Sequence, residues 1–222
     1  MSLTAEQVYQ KYLQKVDKNI TNDNISTDRG RFVLIFNESQ NKFVEDSLQQ
    51  RGVDDIRYIQ HLLVLDKKIT NPSIKQDHFD FSLPSNILDL ADVRATASKR
   101  TCIGQSIELW EIQPENLNLV FTNEDDKPSF EWRQAPYIVN SGKLSIYTDK
   151  TFTIDYILLD YYKYPNKIEL LNPNDPESKF NETVNIEWDD KAIDRIISYA
   201  AFEFDLNENN PRFQLQKIRQ QK

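Results

Sequence analysis

The chain has 222 residues, 39% of them hydrophobic and 28% charged, with twelve Phe, ten Tyr and three Trp. Such a composition supports a compact core in one large domain or two small ones and excludes disorder driven by composition. Four glycines disfavour a Gly-rich phosphate loop, and the single cysteine, Cys102, excludes an internal disulfide or a Cys-rich metal site. The net charge of −8 is uneven: near neutral over 1–70, −5 over 71–165, −7 over 166–210 and +4 over 211–222. Static binding of DNA or RNA relies on neutralising phosphates, which an acidic body opposes.

Taken in chain order, the first third reads as helical. Thr4 and Gln7 have capping-box spacing, and Val8, Tyr12 and Val16 then recur every four residues with Leu13 beside them. The polar run "DKNITNDNIS" ends this helix. A second start falls at Ser26 or Thr27, with Asp28 favouring the helix dipole. Phe32, Ile35, Phe36, Phe43 and Val44 carry that helix to about Gln50, and Gly52 suits its end. Asp54 or Asp55 opens a third helix with Ile56, Ile59, Leu62 and Leu63 on its inner face.

The middle reads as β-rich. "HFDFSLP" alternates and stops at Pro84, "NILDLADV" is ambiguous between strand and one helical turn, and "SIELWEI" is a strand. "PENLNLVF" is a short helix opened by Pro114. "SFEWR", "YIVN" and "KLSIYT" follow, the last two joined through Ser141 and Gly142 as a hairpin. Asp149 and Lys150 then turn the chain into "FTIDYILLDYYKYP". This strand puts Phe152, Ile154, Tyr156 and Leu158 on one face and Thr153 and Asp155 on the other, but then Ile157, Leu159 and Tyr161 make the second face apolar too. Either the rest of the chain or another protein must cover that far end.

Residues 166–186 read as a polar loop or arm. "WDDKAIDRIISYAAFEF" is a strong helix capped by Asp189 or Asp190, with Ile193, Ile196, Ile197, Ala200 and Phe204 on one face. The expected fold class is α+β: a helical bundle of three N-terminal helices plus the C-terminal helix, with an inserted antiparallel β meander of three or four strands. The expected divisions are 1–65 with 187–207 as the bundle, 66–170 as the inserted domain, 171–186 as an arm and 208–222 as a basic tail.

Catalytic patterns are scarce. His61 and His78 lack a partner at motif spacing, and packing or surface roles explain them. Two acidic groups, Glu124 with Asp125 and Asp126, and Glu187 with Asp189 and Asp190, carry the oxygen ligands that Mg2+ or Ca2+ prefers. A solvated turn and a helix start explain them more simply, and no EF-hand ladder is present. Cys102 in "CIGQS" reads as a small buried residue. No catalytic residue, cofactor or metal ligand is assigned. The stretches "YYKYP" and "PSFEWRQAPY" mix aromatics with cations as a base-stacking surface does, but Glu131 and Asp160 interrupt them, which favours core or protein interface. The tail offers Phe213, Leu215 and Ile218 for docking, with Arg212, Lys217 and Arg219 to meet acids, or else frays in solvent. The candidate partner-binding residues are therefore Arg212, Phe213, Leu215, Lys217, Ile218 and Arg219, together with Ile157, Leu159 and Tyr161.

Several segments in order resemble a family: "LTAEQVYQKYLQKVDKNITND", "DRGRFVLIFNESQNKFVEDSL", "IRYIQHLLVLDKKI", "FDFSLPSNILDLADVRATASK", "FTIDYILLDYYKYPNKIEL" and "WDDKAIDRIISYAAFEF". Together they cover most of the chain and resemble the head-to-tail connector (adaptor or ring) proteins of short-tailed bacteriophages, the crAss-like group above all. No single motif carries the resemblance; the order does. It implies a structural virion protein, not an enzyme. Identical subunits, commonly twelve, would form a ring below the portal protein at the head–tail interface. Other tail or ring proteins would bind the far side, and genomic DNA would pass through the lumen without tight binding. Synthesis in the host cytoplasm is expected from the lack of a signal-like start, with no membrane partner. A nucleic-acid-handling module, using the basic tail and the Tyr-rich strand, is the competing reading, and a metal-dependent hydrolase the third.

Overall fold

A computed structural model describes residues 3–19, 29–50, 53–170 and 186–207. The chain divides into two compact units, one formed by 1–61 with 165–222 and the other by 62–164.

In the first unit, α1 (Ala5–Asn19) packs on α5 (Asp190–Asn207), α5 on α2 (Arg29–Gln50), and α2 on α3 (Val53–Ile59). Thr4 and Gln7 form the capping box reciprocally: the Thr4 N–H donates to Gln7 Oε1 (2.9 Å) and the Gln7 N–H to Thr4 Oγ1 (3.3 Å). Asp189 caps α5, its Oδ1 accepting the Ala192 N–H at 2.7 Å. The apolar stripes meet as read: Val8, Tyr12, Val16, Phe32, Phe36, Phe43, Val44, Ile193, Ile196, Ile197 and Ala200 are all buried. A polar chain crosses this core. Trp188 Nε1 donates to Gln40 Oε1 (2.6 Å), Gln40 donates to Asn37 (2.9 Å), and Asn37 brackets Ile168 through the N–H and C=O of that residue. The Trp188, Gln40 and Asn37 side chains are thereby paired, which fixes the strap at Ile168 on α2. The caps expected at Ser26, Thr27, Asp28 and Gly52 lie outside the described residues.

The second unit corrects the expected architecture. A helical bundle with a small inserted meander is not what dominates. The fold is mixed α/β around a curled eight-stranded sheet, ordered β1-β8-β4-β5-β6-β7-β3-β2. The strands are β1 (Leu63–Thr70), β2 (Ser73–Ile74), β3 (His78–Ser82), β4 (Ile87–Lys99), β5 (Cys102–Glu111), β6 (Gln134–Asn140), β7 (Lys143–Tyr147) and β8 (Thr153–Lys163). One pair is parallel, β5 with β6, and α4 (Leu117–Thr122) sits in the crossover between them. Two readings miscarried: Leu63 opens β1 rather than ending a helix, and "SFEWR" is a turn with only the bridge Ser129–Gln134. The open one, "NILDLADV", resolves as the start of a 13-residue strand from Ile87. The hairpin at Ser141 and Gly142 holds, both residues lying at positive φ (48° and 74°) as a two-residue turn of this twist requires.

The broken alternation of β8 has a local cause. Thr96 of β4 pairs with Tyr156, but the next residue, Ala97, pairs with Ile154. Asp155 is thus an extra residue, a β-bulge, and beyond it every side chain changes face. The buried set passes from Phe152 and Ile154 to Ile157, Leu159 and Tyr161 without leaving the core. Those last three join one cluster with Phe79 and Phe81 of β3 and Leu144 and Ile146 of β7. The far end of β8 is covered by its own unit.

Candidate functional site

Of the candidate partner-binding residues, Ile157, Leu159 and Tyr161 are 0%, 0% and 3% exposed, so in the single chain they are core and present nothing to a partner. Burial of such side chains is worth about 1.5–3 kcal/mol each, which is their use here. Arg212, Phe213, Leu215, Lys217, Ile218 and Arg219 lie outside the described residues.

The bulges build a charged cluster on the outer face of the sheet. Between the pairs Val64–Tyr161 and Lys67–Leu159, β1 spends two residues, Leu65 and Asp66, opposite the single Asp160 of β8. Asp66 adopts φ 52°, and its N–H donates to Asp160 Oδ1 at 2.7 Å. On the other side of β8, an extra residue in β4, Ala91, re-aims Asp92 opposite Asp160. Arg94 then gathers all three acids. Its Nη2 donates to Asp66 Oδ1 and Asp160 Oδ2, both at 2.8 Å, and its Nε lies 3.1 Å from Asp92 Oδ2. The Asp160 charge, foremost, holds the guanidinium pKa above its ordinary value. Three carboxylates against one guanidinium leave this cluster acidic. Tyr156 and Leu158, half-buried, lie along the same face, with Lys68 Nζ 3.7 Å from the Tyr156 ring centroid.

A second polar group joins β3 to β7. His78 Nδ1 is 2.7 Å from Asp77 and Nε2 is 3.3 Å from Asp80, whose Oδ1 also accepts the Ser145 hydroxyl at 2.6 Å. The carboxylate stands where a Ser-His-Asp triad would place the imidazole, so this is a cross-strand tie rather than a primed nucleophile. Burial, ahead of Asp77 and Asp80, pushes the neighbouring Tyr147 phenol up.

Other sequence candidates have local duties. The Asp126 carboxylate accepts from the Asn123 side chain, and the Asp125 N–H donates to Asn123 Oδ1. Glu187 accepts the Asn166 N–H at 2.6 Å. Among the described residues no group of three His, Cys, Asp or Glu side chains is placed to hold a metal ion. His61 turns its ring edge-on to Trp188, 4.8 Å between centroids. Cys102 is exposed, correcting the expectation that it is buried, because it opens β5 at a hairpin tip.

Sequence reading missed the residues that the fold does expose. Trp132 is 81% exposed and Ile103 80%, both at one end of the sheet, and Leu119 stands out on α4. The letters gave no warning for Trp132: "SFEWR" sets Phe130 and Trp132 against Ser129, Glu131 and Arg133 as a half-buried strand would, and only the turn sends the first ring inward and the second out. In the helical unit an apolar groove of about 730 Å³ opens between the start of α2 and residues 167–170, with exposed Leu34 on its wall. No helix among the described residues is long and apolar enough to cross a membrane. Compared with known proteins, the chain matches no family model and no curated sequence.

Proposed function

We propose that this chain is a structural connector subunit, a protein whose copies form a ring below a phage portal and join the capsid to the tail. The ring would bind the portal on one side and further tail or ring proteins on the other, at the head–tail interface of the virion. The ordered run of segments that resembles such connectors supports this reading. The single structural observation that carries it is the exposure of Trp132 and Ile103 on a folded unit whose own core is complete. Aromatic and aliphatic side chains exposed together at one end of a sheet have the composition of a protein contact. A closed ring needs two different surfaces on each subunit, and this sheet offers an apolar end and an acidic face. Strand addition is not the mode: β1 is bulged at Asp66 and carries Lys67 and Lys68, and β2 is two residues long, both devices that blunt a sheet edge. An acidic chain, net −8, would let DNA pass without adhering.

The test is native mass spectrometry and electron microscopy of the full chain, alone and with the portal protein of its virion. Rings with the portal are expected. Monomers under both conditions would refute the reading, and a steeply salt-dependent shift of duplex DNA at low protein concentration would favour the nucleic-acid-handling alternative.

A further inference from the structure

We infer that the Trp132 end of the sheet is the docking surface for the acidic face of a second copy of this chain. The inference rests on the ring reading and names one of its contacts. Three turns close this end: 99–102 between β4 and β5, 129–133 before β6, and 148–151 between β7 and β8. They are tied together. Lys99 Nζ lies 2.6 Å from Glu131 Oε1, the Phe130 and Phe152 rings are 5.8 Å apart, and the Thr153 hydroxyl donates to the Ser98 carbonyl at 3.4 Å.

Each turn sets one basic residue at positive φ: Arg100 at 52°, Arg133 at 57° and Lys150 at 66°. That backbone region is costly for any residue with a Cβ, and Gly or Asn would occupy it at less cost. The turns impose that region, as the hairpin turn does at Ser141, and at these three places it carries a long cation rather than a small turn residue. All three side chains are exposed, and none forms an ion pair among the described residues. Their acidic neighbours are engaged within the turns: Glu131 by Lys99, Asp149 by the Thr151 N–H and hydroxyl, Asp155 by the Ser98 hydroxyl. Trp132 precedes Arg133 in its turn and Ile103 follows the turn that carries Arg100, and they are 81% and 80% exposed. An indole with arginines around it is the composition of an interface anchor.

The occupant is argued from complementarity. The outer face of the same sheet presents Asp66, Asp92 and Asp160 around one guanidinium, with half-buried Leu158 and the Lys68-capped Tyr156 next along β8. Cations meet acids, and the indole and Ile103 meet Leu158 and Tyr156. The two surfaces differ, so the contact is head-to-tail and can close a ring. A polyanion such as DNA is disfavoured, because the chain is acidic overall and the aliphatic Ile103 gains nothing from a base stack.

Cys102, exposed at the tip of the first turn, is the probe site. The full chain is labelled there with a maleimide photo-crosslinker and illuminated, with and without duplex DNA, and the products are mapped by mass spectrometry. Crosslinks into β1, β4 or β8 of a second copy are expected. Trp132→Ala, and separately Arg100→Glu with Arg133→Glu, should weaken self-association about 30-fold or more at unchanged thermal stability. Mixing the double variant with a copy carrying Asp66→Lys and Asp92→Lys should restore association. Rings that form with unaltered affinity in both variants would overturn this assignment and leave the ring reading standing. A chain that stays monomeric with the portal present would overturn both. Capture of DNA instead of a second copy would overturn the choice of partner.

Discussion

Two apolar regions of the sheet unit have opposite fates. Ile157, Leu159 and Tyr161 form the greasier run, yet they are enclosed, while Trp132 and Ile103 sit in polar surroundings and stand four-fifths in solvent. The difference lies in the backbone, not in hydrophobicity. Asp155 supplies an extra residue that rotates the second half of β8 by one face, so the same core claims both halves of the strand. Trp132 follows Phe130, whose ring is taken by Phe152, and the turn carries the indole outward. Exposure is set by register and turn geometry before it is set by composition.

That contrast can be broken at graded strength. Deleting Asp155 removes the bulge and would turn Ile157, Leu159 and Tyr161 to the wet face. The sheet unit should fail to fold, seen as loss of its cooperative transition, whereas an intact melt would show that the strand tolerates either register. Leu159→Ala should cost about 2–5 kcal/mol by denaturant titration, the cost of a buried leucine cavity, with self-association altered only through the unfolded fraction. Arg94→Met should destabilise less, by leaving Asp66, Asp92 and Asp160 to repel one another, and added salt should recover part of the loss. Trp132→Ala should leave stability within about 0.5 kcal/mol, as expected for a surface position.

The smallest effect is a pH dependence. The hydrogen bond from Lys99, first among the causes, holds the Glu131 carboxyl below its ordinary range. A depressed folded pKa means the tie contributes above the unfolded value and is lost as pH falls through the folded one. The Glu131 carboxyl resonance should therefore titrate below the usual glutamate range, and Lys99→Met should return it there.

The helical elements were legible because period and cap agree. Thr4 with Gln7, the Val8–Tyr12–Val16 stripe and Asp189 before Ile193 each make one local statement that packing then honours. The sheet was less legible. β1 and the start of β4 are rich in charge, with Asp66, Lys67, Lys68, Asp89 and Asp92, since their outer faces are wet and bulged, and bulges erase the period-two signal. The acidic cluster around Arg94 was not legible at all. It joins residues 66, 92, 94 and 160 from three strands whose adjacency only the fold supplies. Interruption of β8 was visible in the letters, but a covering partner and a bulge leave the same trace.

The most direct test of this assignment of core and surface is hydroxyl-radical footprinting of the isolated full-length chain, read residue by residue. Trp132 should be modified rapidly and Tyr161 protected before any partner is added, and on assembly Trp132 should become protected while Tyr161 stays as it was. Equal reactivity of Tyr161 and Trp132 in the monomer would contradict it.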